Sequence, residues 1–505
     1  MQCLNFWMIH PALFYGCSTL LGCYIAFDPQ PILLFPAFCL WFPFLYLRRY
    51  LTSCLLSGLL FFSAWLYTVS MYDFPQLPEE GLQGTAYFQI ESFSQQKSPF
   101  GYQWVYRGTV HHFLPHYPSH VFPCILTLPT HHAPPLANKD YWIASHLVQT
   151  PQGYRLKPLK HLEWQTVATS WSWASSRYQW KQKVTQWIQN QCVHPKSGIF
   201  LAGLITGDFH DLEMRAQFAQ FGLQHLLAIS GFHFALVAGF LNFILRLVCR
   251  QQVRLVVLLL LLSAYCFFLG PQPSILRAWL MSIFAIGGEW IHKQSRSLNM
   301  LGIALLCLLS WNPLCCLNVG FQLSFAVTFA ILLFLKPAQQ FFQAILMKRG
   351  LSQVIQMNRW NQVAYIFLSF LRQGLTLTVA VNIFAFPLTL FFFSFFPWMS
   401  LLYNLFFPFL ASLSLTFFLF GVLLNPVPGL ATLIHYFNDF YTFYILKLTQ
   451  AIIPHEQHYL VLSHVSEYYL LIYLCLTGLL GIHWNQSNGP QFLIEPLNEA
   501  KNGFS

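Results

Sequence analysis

Long apolar stretches separated by short polar connections dominate the sequence. Three open the chain, at about 11–27, 31–47 and 52–72. A later series comprises 217–245, 253–270, 274–292, 298–312, 317–336, 374–397, 399–424 and 468–484, with a weaker candidate at 430–453. A helix needs about 20 apolar residues to cross a bilayer, and backbone groups at that depth must be satisfied within the segment. The pattern therefore predicts a mainly α, polytopic helical membrane protein.

The hydrophobic pattern changes between 73 and 165. Apolar residues there alternate with polar ones over 84–93 and 102–113, and 124–129 and 141–158 resemble further strands around turns. Alternation with period two, interrupted by Gly and Pro, is typical of strands. Five or six short strands fit a compact barrel better than a large sandwich. We predict a small β-barrel domain inserted after the N-terminal spans.

These patterns divide the chain into five predicted segments. The stretch 171–193 has the pattern of an amphipathic helix with several Trp, a residue that favours the membrane interface. The segments are N-terminal transmembrane helices (1–72), the β domain (73–165), an interfacial helix (166–197), a second transmembrane domain (198–484) and a C-terminal tail (485–505).

Composition and charge support a membrane protein and predict its orientation. The chain is 56% hydrophobic and 8% charged, whereas soluble domains carry about 25% charged residues. Its net charge of +10 fits either cytoplasmic loops or a polyanionic cargo. The positive-inside rule places the β domain outside the cytoplasm. The basic clusters behind this orientation are Arg48–Arg49, Arg246 to Arg254, Lys293–Arg296 and Lys336 to Arg372.

The sequence predicts no metal site and no cofactor. His112, His116 and His120 are spaced by four, but Pro115 and Pro118 oppose the helix that would align them. No Cys-x-x-Cys pair occurs. A disulfide between the two cysteines of the soluble part, Cys124 and Cys192, remains open.

An unusual group of polar residues interrupts the apolar run 223–240. His225, Ser230 and His233 fall within one broad sector of an unbroken helix, and Gly231 lies among them. Ionisable residues at membrane depth are functional candidates by default. They predict a polar strip facing an aqueous path, at a helix that Gly231 could break. Alternatively, the polar side chains hydrogen-bond across a helix pair and Gly231 permits close packing.

Four further polar residues lie in or near other spans. Arg277, near the start of one, either extends to the membrane surface or receives a phosphate. Gln322, Ser324 and Asn382 either hold helices together or line a passage. Before the 217–245 span, Asp208 is placed to cap a helix.

Three ordered motifs resemble the ComEC family of DNA-uptake channels. The family's His, apolar run and Ser-Gly-x-His pattern is matched by His225 and Ser230–His233. Its Pro-Ser-x-x-Arg-Ala pattern is matched over 273–278, and Gly-Phe-Gln-Leu-Ser-Phe over 320–325. The resemblance covers about 200–425 and is looser beyond it.

The resemblance implies a channel, with no catalytic residues, that carries single-stranded DNA across the cell inner (plasma) membrane during natural transformation. It also implies an OB-like fold for the extracytoplasmic β domain. The expected DNA-path residues are His225, Ser230, Gly231, His233, Arg277, Gln322, Ser324 and Asn382. Basic residues of the outer segment either guide DNA or are merely solvated: Arg155, Lys157, Lys160, Arg177, Lys181 and Lys183.

The implied partners are single-stranded DNA, membrane lipids, a periplasmic DNA receptor and a cytoplasmic translocation ATPase or single-strand-binding protein, with homo-oligomerisation left open. Many members carry a C-terminal metallo-β-lactamase-like domain with a His/Asp motif, which this sequence lacks. A separate nuclease is therefore expected. Two other functions remain open: an intramembrane serine hydrolase using Ser230 and a histidine, and a permease for a small molecule or lipid.

Overall fold

The computed structural model describes residues 6–7, 9–27, 29–30, 33, 36–37, 40–41, 51–71, 78, 81–98, 101–117, 122–129, 140–150, 153–159, 165–166, 173–209, 211–227, 231–293, 296–451, 459–462 and 465–487. Contacts divide the chain into two compact units, which are described separately. The first comprises 1–62, 293–406 and 459–505, and the second 63–292 and 407–458.

Six described helices are long and apolar enough to span a membrane, which confirms the predicted fold class. They are Thr52–Ser70, Gly231–Val248, Gln251–Leu269, Val319–Ile345, Arg359–Phe393 and Ser400–Leu423. Two shorter apolar helices are Pro11–Phe27 and Ser297–Trp311. Most of the predicted span 31–47 lies outside the described residues.

The first unit is built from helices. They are α1 (Pro11–Phe27), α10 (Ser297–Trp311), α11 (Val319–Ile345), α12 (Leu351–Ile355), α13 (Arg359–Phe393) and α16 (Glu467–Ser487), with a 3₁₀ turn at Pro313–Leu317. Two short strands, β7 (Phe395–Pro397) and β8 (Tyr459–Val461), pair antiparallel. α1 and α10 pack closely because Gly302 brings their backbones together: a Cβ there would lie 2.3 Å from the Ala12 carbonyl carbon.

The second unit contains the β domain and the remaining helices. The helices are α3 (Trp173–Asn190), α4 (Pro195–Thr206), α5 (Leu212–Gln220), α6 (Gln224–Leu227), α7 (Gly231–Val248), α8 (Gln251–Leu269), α9 (Pro273–Trp290) and α15 (Pro428–Ala451). Two others, α2 (Leu51–Met71) and α14 (Ser400–Leu423), contribute residues to both units.

The β domain is a closed five-stranded barrel with OB-like topology. Its strands are β1 (Leu82–Ser98), β2 (Gly101–Leu114), β3 (Phe122–Pro129), β4 (Asp140–Thr150) and β5 (Gly153–Pro158), with a short β6 (Gln165–Thr166) at its edge. Their order is β1-β2-β3-β5-β4, and pairing of β1 with β4 closes the barrel. β3 and β5 are parallel, and the other pairings are antiparallel. This confirms the predicted small barrel.

The alternating pattern of the strands fills the barrel interior. Phe88, Tyr106, Phe113, Phe122 and Leu126 are completely buried there. Irregular register in β1 after Tyr87 and Ile90 bends the strand, as β-bulges do, so that it pairs on both edges. Gly108 permits a close crossing, because a Cβ there would lie 1.9 Å from the Gln89 carbonyl oxygen.

The open disulfide prediction is resolved against a bond. Cys124 and Cys192 are both free. Cys124 lies in the barrel core, while Cys192 packs with Ile188 and Leu201 where α3 meets α4. Among the described residues no cluster of metal-ligating side chains is found, and His120 lies outside them.

Candidate functional site

The predicted span 217–245 is wrong as a single helix. It consists of the end of α5, a turn at 221–223, and the described helical segments α6 and α7. Gly222 adopts a left-handed conformation (φ 67°) that ends the first segment. Residues 228–230, including Ser230, lie outside the described part of the chain. The described turn therefore lies just before the motif that sequence analysis singled out.

The two histidines of the motif differ in their surroundings. His225 belongs to α6 and its side chain is exposed, whereas His233 lies on α7 and is fully buried. Only one of the two therefore presents its side chain at the surface of the unit.

Arg277 packs directly against Gly231 of α7. A Cβ on Gly231 would lie 2.6 Å from Nη2 of Arg277 and 3.6 Å from Cβ of Ala278. Only glycine at position 231 leaves room for the guanidinium in this position. Because Arg277 is 8% exposed, its charge does not extend to the surface of the unit.

Apolar side chains of three helices surround this contact, and we refer to these three helices as the frame. Phe234, Leu262, Leu269 and Ile275 form one buried cluster between α7, α8 and α9. The Trp279 indole donates a hydrogen bond of 3.1 Å to the Ser263 hydroxyl, which ties α9 to α8. This packing holds Arg277 in its position against Gly231 of α7.

Two basic residues of the predicted outer segment contact other parts of the second unit from α3, one at this frame and one at the connection between α4 and α5. The Arg177 guanidinium lies 5.4 Å from the centre of the Phe267 ring on α8. Lys181 is 8% exposed and forms an ion pair of 3.2 Å with Asp208. Burial lowers the pKa of Lys181, and the charge of Asp208 opposes this shift. Both side chains are therefore engaged within the protein. Neither is a simply solvated charge or a freely accessible contact for DNA.

The same ion pair corrects the capping prediction. Asp208 does not cap α5; its neighbour Asp211 does, accepting a hydrogen bond of 3.0 Å from the Met214 backbone N–H. Sequence alone could not choose between the two aspartates, because Lys181 lies 27 positions earlier. The capping residue is thus the aspartate without a distant ionic partner.

The remaining three candidate residues belong to the first unit. The Gln322 amide donates a hydrogen bond of 2.7 Å to the Cys316 carbonyl, and the Asn382 amide one of 2.8 Å to the Thr378 carbonyl. Ser324 lies on α11, where its carbonyl accepts from the Thr328 hydroxyl at 2.8 Å. These contacts are local to each chain segment, and they hold turns and helices.

Gln322 also lines a cavity of about 460 Å³ within the first unit. The walls are almost entirely apolar and include Phe325, Phe384 and Leu388, with Glu467 at one side. Apolar walls do not suit a polyanion, which needs positive charge along its path. In the described structure, the charged candidate residues lie in the second unit.

Sequence analysis missed a buried carboxylate in the second unit. Asp439 on α15 is 1% exposed and accepts hydrogen bonds from the backbone N–H groups of Val193 (3.1 Å) and His194 (3.3 Å). Its Oδ2 also lies 2.8 Å from Nδ1 of His194. The carboxylate thus holds the start of α4 from a helix some 245 positions away.

Aromatic side chains form a platform on the outer face of the barrel. Tyr87, His112 and Trp142 come from the neighbouring strands β1, β2 and β4. The Tyr87 and Trp142 rings are 5.2 Å apart, and the His112 ring lies 6.4 Å from Trp142 at an angle of 15°. We refer to these three residues as the aromatic platform.

Comparison with known proteins identifies relatives of the region that contains all eight candidate residues. The sequence profile of a family described as "Competence protein" matches residues 204–487. "ComE operon protein 3" of Bacillus subtilis (strain 168) is 33% identical over 183 residues, which cover 34% of this chain and 24% of that protein. No solved structure matches the chain.

Proposed function

The chain belongs to the competence protein family, and from this premise we propose that it conducts single-stranded DNA across the inner membrane into the cytoplasm during natural transformation. The observation that carries the proposal is the placement of Arg277, a buried guanidinium, against Gly231 within the motif. A guanidinium can donate two hydrogen bonds to two oxygens of one phosphate. The contact therefore places a phosphate-binding group beside the motif.

Ionisable side chains on these apolar helices support transport. Such residues commonly mark substrate or ion pathways in membrane proteins. His233 on α7 and Arg277 on α9 are both buried. Because a nucleic-acid strand carries regularly spaced negative charges, we propose that this guanidinium meets each phosphate in turn.

The β-barrel supports a nucleic-acid cargo independently. Single strands bind proteins by stacking their bases on aromatic side chains, which is possible for every base. The aromatic platform offers three neighbouring rings of this kind on an OB-like barrel. We propose that the barrel lies outside the cytoplasm, as the basic clusters predict, and that the strand contacts the platform before it reaches α7.

The same proposal defines the partners. A DNA receptor and a nuclease would deliver one strand at the outer side, and a translocation ATPase or single-strand-binding protein would receive it in the cytoplasm. Transport rather than hydrolysis is proposed because the described site contains a buried guanidinium, a group that suits a phosphate. The hydrolase alternative depends on Ser230, which lies outside the described residues.

A DNA-uptake assay that separates surface-bound from nuclease-protected DNA tests the proposal. A strain lacking the gene should bind external DNA normally and protect none, and the wild-type gene should restore protection. Normal transformation of the deletion strain would contradict DNA transport. A Ser230→Ala variant should restore uptake fully, whereas loss of uptake together with labelling of the wild-type serine by a fluorophosphonate would support the hydrolase.

A further inference from the structure

A polar pocket lies at the end of α7–α9 that is remote from Gly231. It has a volume of about 380 Å³ and is lined by Arg246, Cys249, Gln251, Arg254 and Glu289. These residues come from the last turn of α7, the start of α8 and the end of α9. Because all three helices pack on each other, the pocket is part of a preformed structure, as ligand sites usually are.

The charges in the pocket leave an excess of one positive charge. Arg254 forms an ion pair with Glu289, and its Nε is buried without a hydrogen-bond partner. The Arg246 side chain makes no ion pair or hydrogen bond with any described residue. In addition, no side chain caps the N-terminus of α8, which leaves its first N–H groups available to an anion.

Exposed apolar residues surround the pocket on all three helices. Leu247, Val248, Val253, Trp290 and Ile291 are between 50% and 80% exposed. Each lies next to, or two positions from, a residue that lines the pocket. A free phosphate or a nucleic acid has nothing to place against these side chains, whereas a lipid has acyl chains.

We propose that this pocket binds the headgroup phosphate of an anionic phospholipid. The Arg246 guanidinium offers a two-donor contact to two phosphate oxygens, and the acyl chains extend along the apolar residues. Basic pockets between transmembrane helices commonly bind such headgroups. Since Glu289, the one carboxylate that lines the pocket, is already paired with Arg254, no free negative charge remains there for the ammonium group of a zwitterionic lipid. The excess of one positive charge suits a singly charged phosphodiester. This proposal does not depend on the DNA cargo.

Native mass spectrometry of the purified full-length protein with phosphatidylglycerol tests this site. We expect Arg246→Gln to weaken binding about tenfold or more, because it removes the unpaired guanidinium. Arg250→Gln removes an equal charge from the same segment without touching the pocket, and should change binding less than twofold. Glu289→Gln should tighten binding, since it removes the negative charge and frees Arg254. That last variant tests the site even if Arg246→Gln fails to fold.

Three results would overturn the proposal. The first is equal weakening by Arg246→Gln and Arg250→Gln, which would mean that general surface charge attracts the lipid. The second is equally tight retention of phosphatidylcholine, which would show that the headgroup charge is not recognised. The third is displacement of phosphatidylglycerol by inorganic phosphate or by a single-stranded oligonucleotide at similar concentrations, which would assign the pocket to those ligands.

Discussion

Replacing Gly231 with alanine should impair DNA uptake without unfolding the protein. The new Cβ would lie 2.6 Å from Nη2 of Arg277, whereas ordinary contacts begin at 3.4 Å, so the guanidinium must retreat by about 0.8 Å. Overpacking costs about 1–3 kcal/mol. The cost here should be near the lower limit, because the atom that must move is at the end of the flexible Arg277 side chain. Alanine regains up to about 1 kcal/mol through its helix propensity. The two effects nearly cancel, so the protein should accumulate normally.

The same displacement has a larger consequence for a bound phosphate. A hydrogen bond to a charged group contributes about 1.5–3 kcal/mol, and each 1.4 kcal/mol corresponds to about a factor of ten. Misplacing the guanidinium should therefore reduce uptake about tenfold or more.

Gly239→Ala is the matched control, because it lies on the same helix and a Cβ there meets nothing within 4 Å. The assay is nuclease-protected DNA per cell, normalised to membrane-bound protein. Equal uptake by the two variants at equal protein levels would refute the role of Arg277.

The remaining predictions concern stability in detergent, measured by thermal unfolding. Asp439→Ala should cost about 3 kcal/mol, because it leaves donors of the α4 start without an acceptor, whereas Asp439→Asn keeps an acceptor oxygen and should cost less. Lys181→Met should cost only about 1 kcal/mol, because Asp208 is partly exposed and water replaces its partner. Gly302→Ala should destabilise the α1–α10 contact strongly by forcing backbones apart, while Gly478→Ala, which meets nothing, should not. An unchanged unfolding temperature for Gly302→Ala would contradict the close packing.

Local patterns predicted the elements of this fold, whereas distant pairings had to be observed. Alternation in 84–93 and 102–113 identified β1 and β2, because side-chain direction along a strand depends only on neighbouring residues. The parallel pairing of β3 with β5 joins segments about 30 positions apart and leaves no local pattern. For the same reason, the ion pair of Asp208 with Lys181 could not be read from the residues around Asp208.

The predicted span 217–245 shows how an average conceals a structural feature. These residues are apolar enough on average to suggest one span, yet α5 ends in a turn at Gly222 before helix resumes at Gln224. The unusual residues within the run were more informative than its mean hydropathy, because Arg277 packs against Gly231 among them.

The weaker candidate at 430–453 gives a second example, in which polar residues obscured a helix. Its polar residues weakened the prediction of a span, yet α15 is a continuous helix and those residues face inward. Asn438, Asp439 and Thr442 are buried, while an apolar face that includes Leu433, Phe437, Phe440 and Tyr444 is exposed. Exposed positions spaced by three and four residues form one stripe of a helix, although α15 is not among the described helices that are apolar enough to span a membrane. Testing α15 for two faces rather than for mean hydropathy would have both supported the helix and drawn attention to Asp439, since a carboxylate on the buried face of such a helix requires a partner.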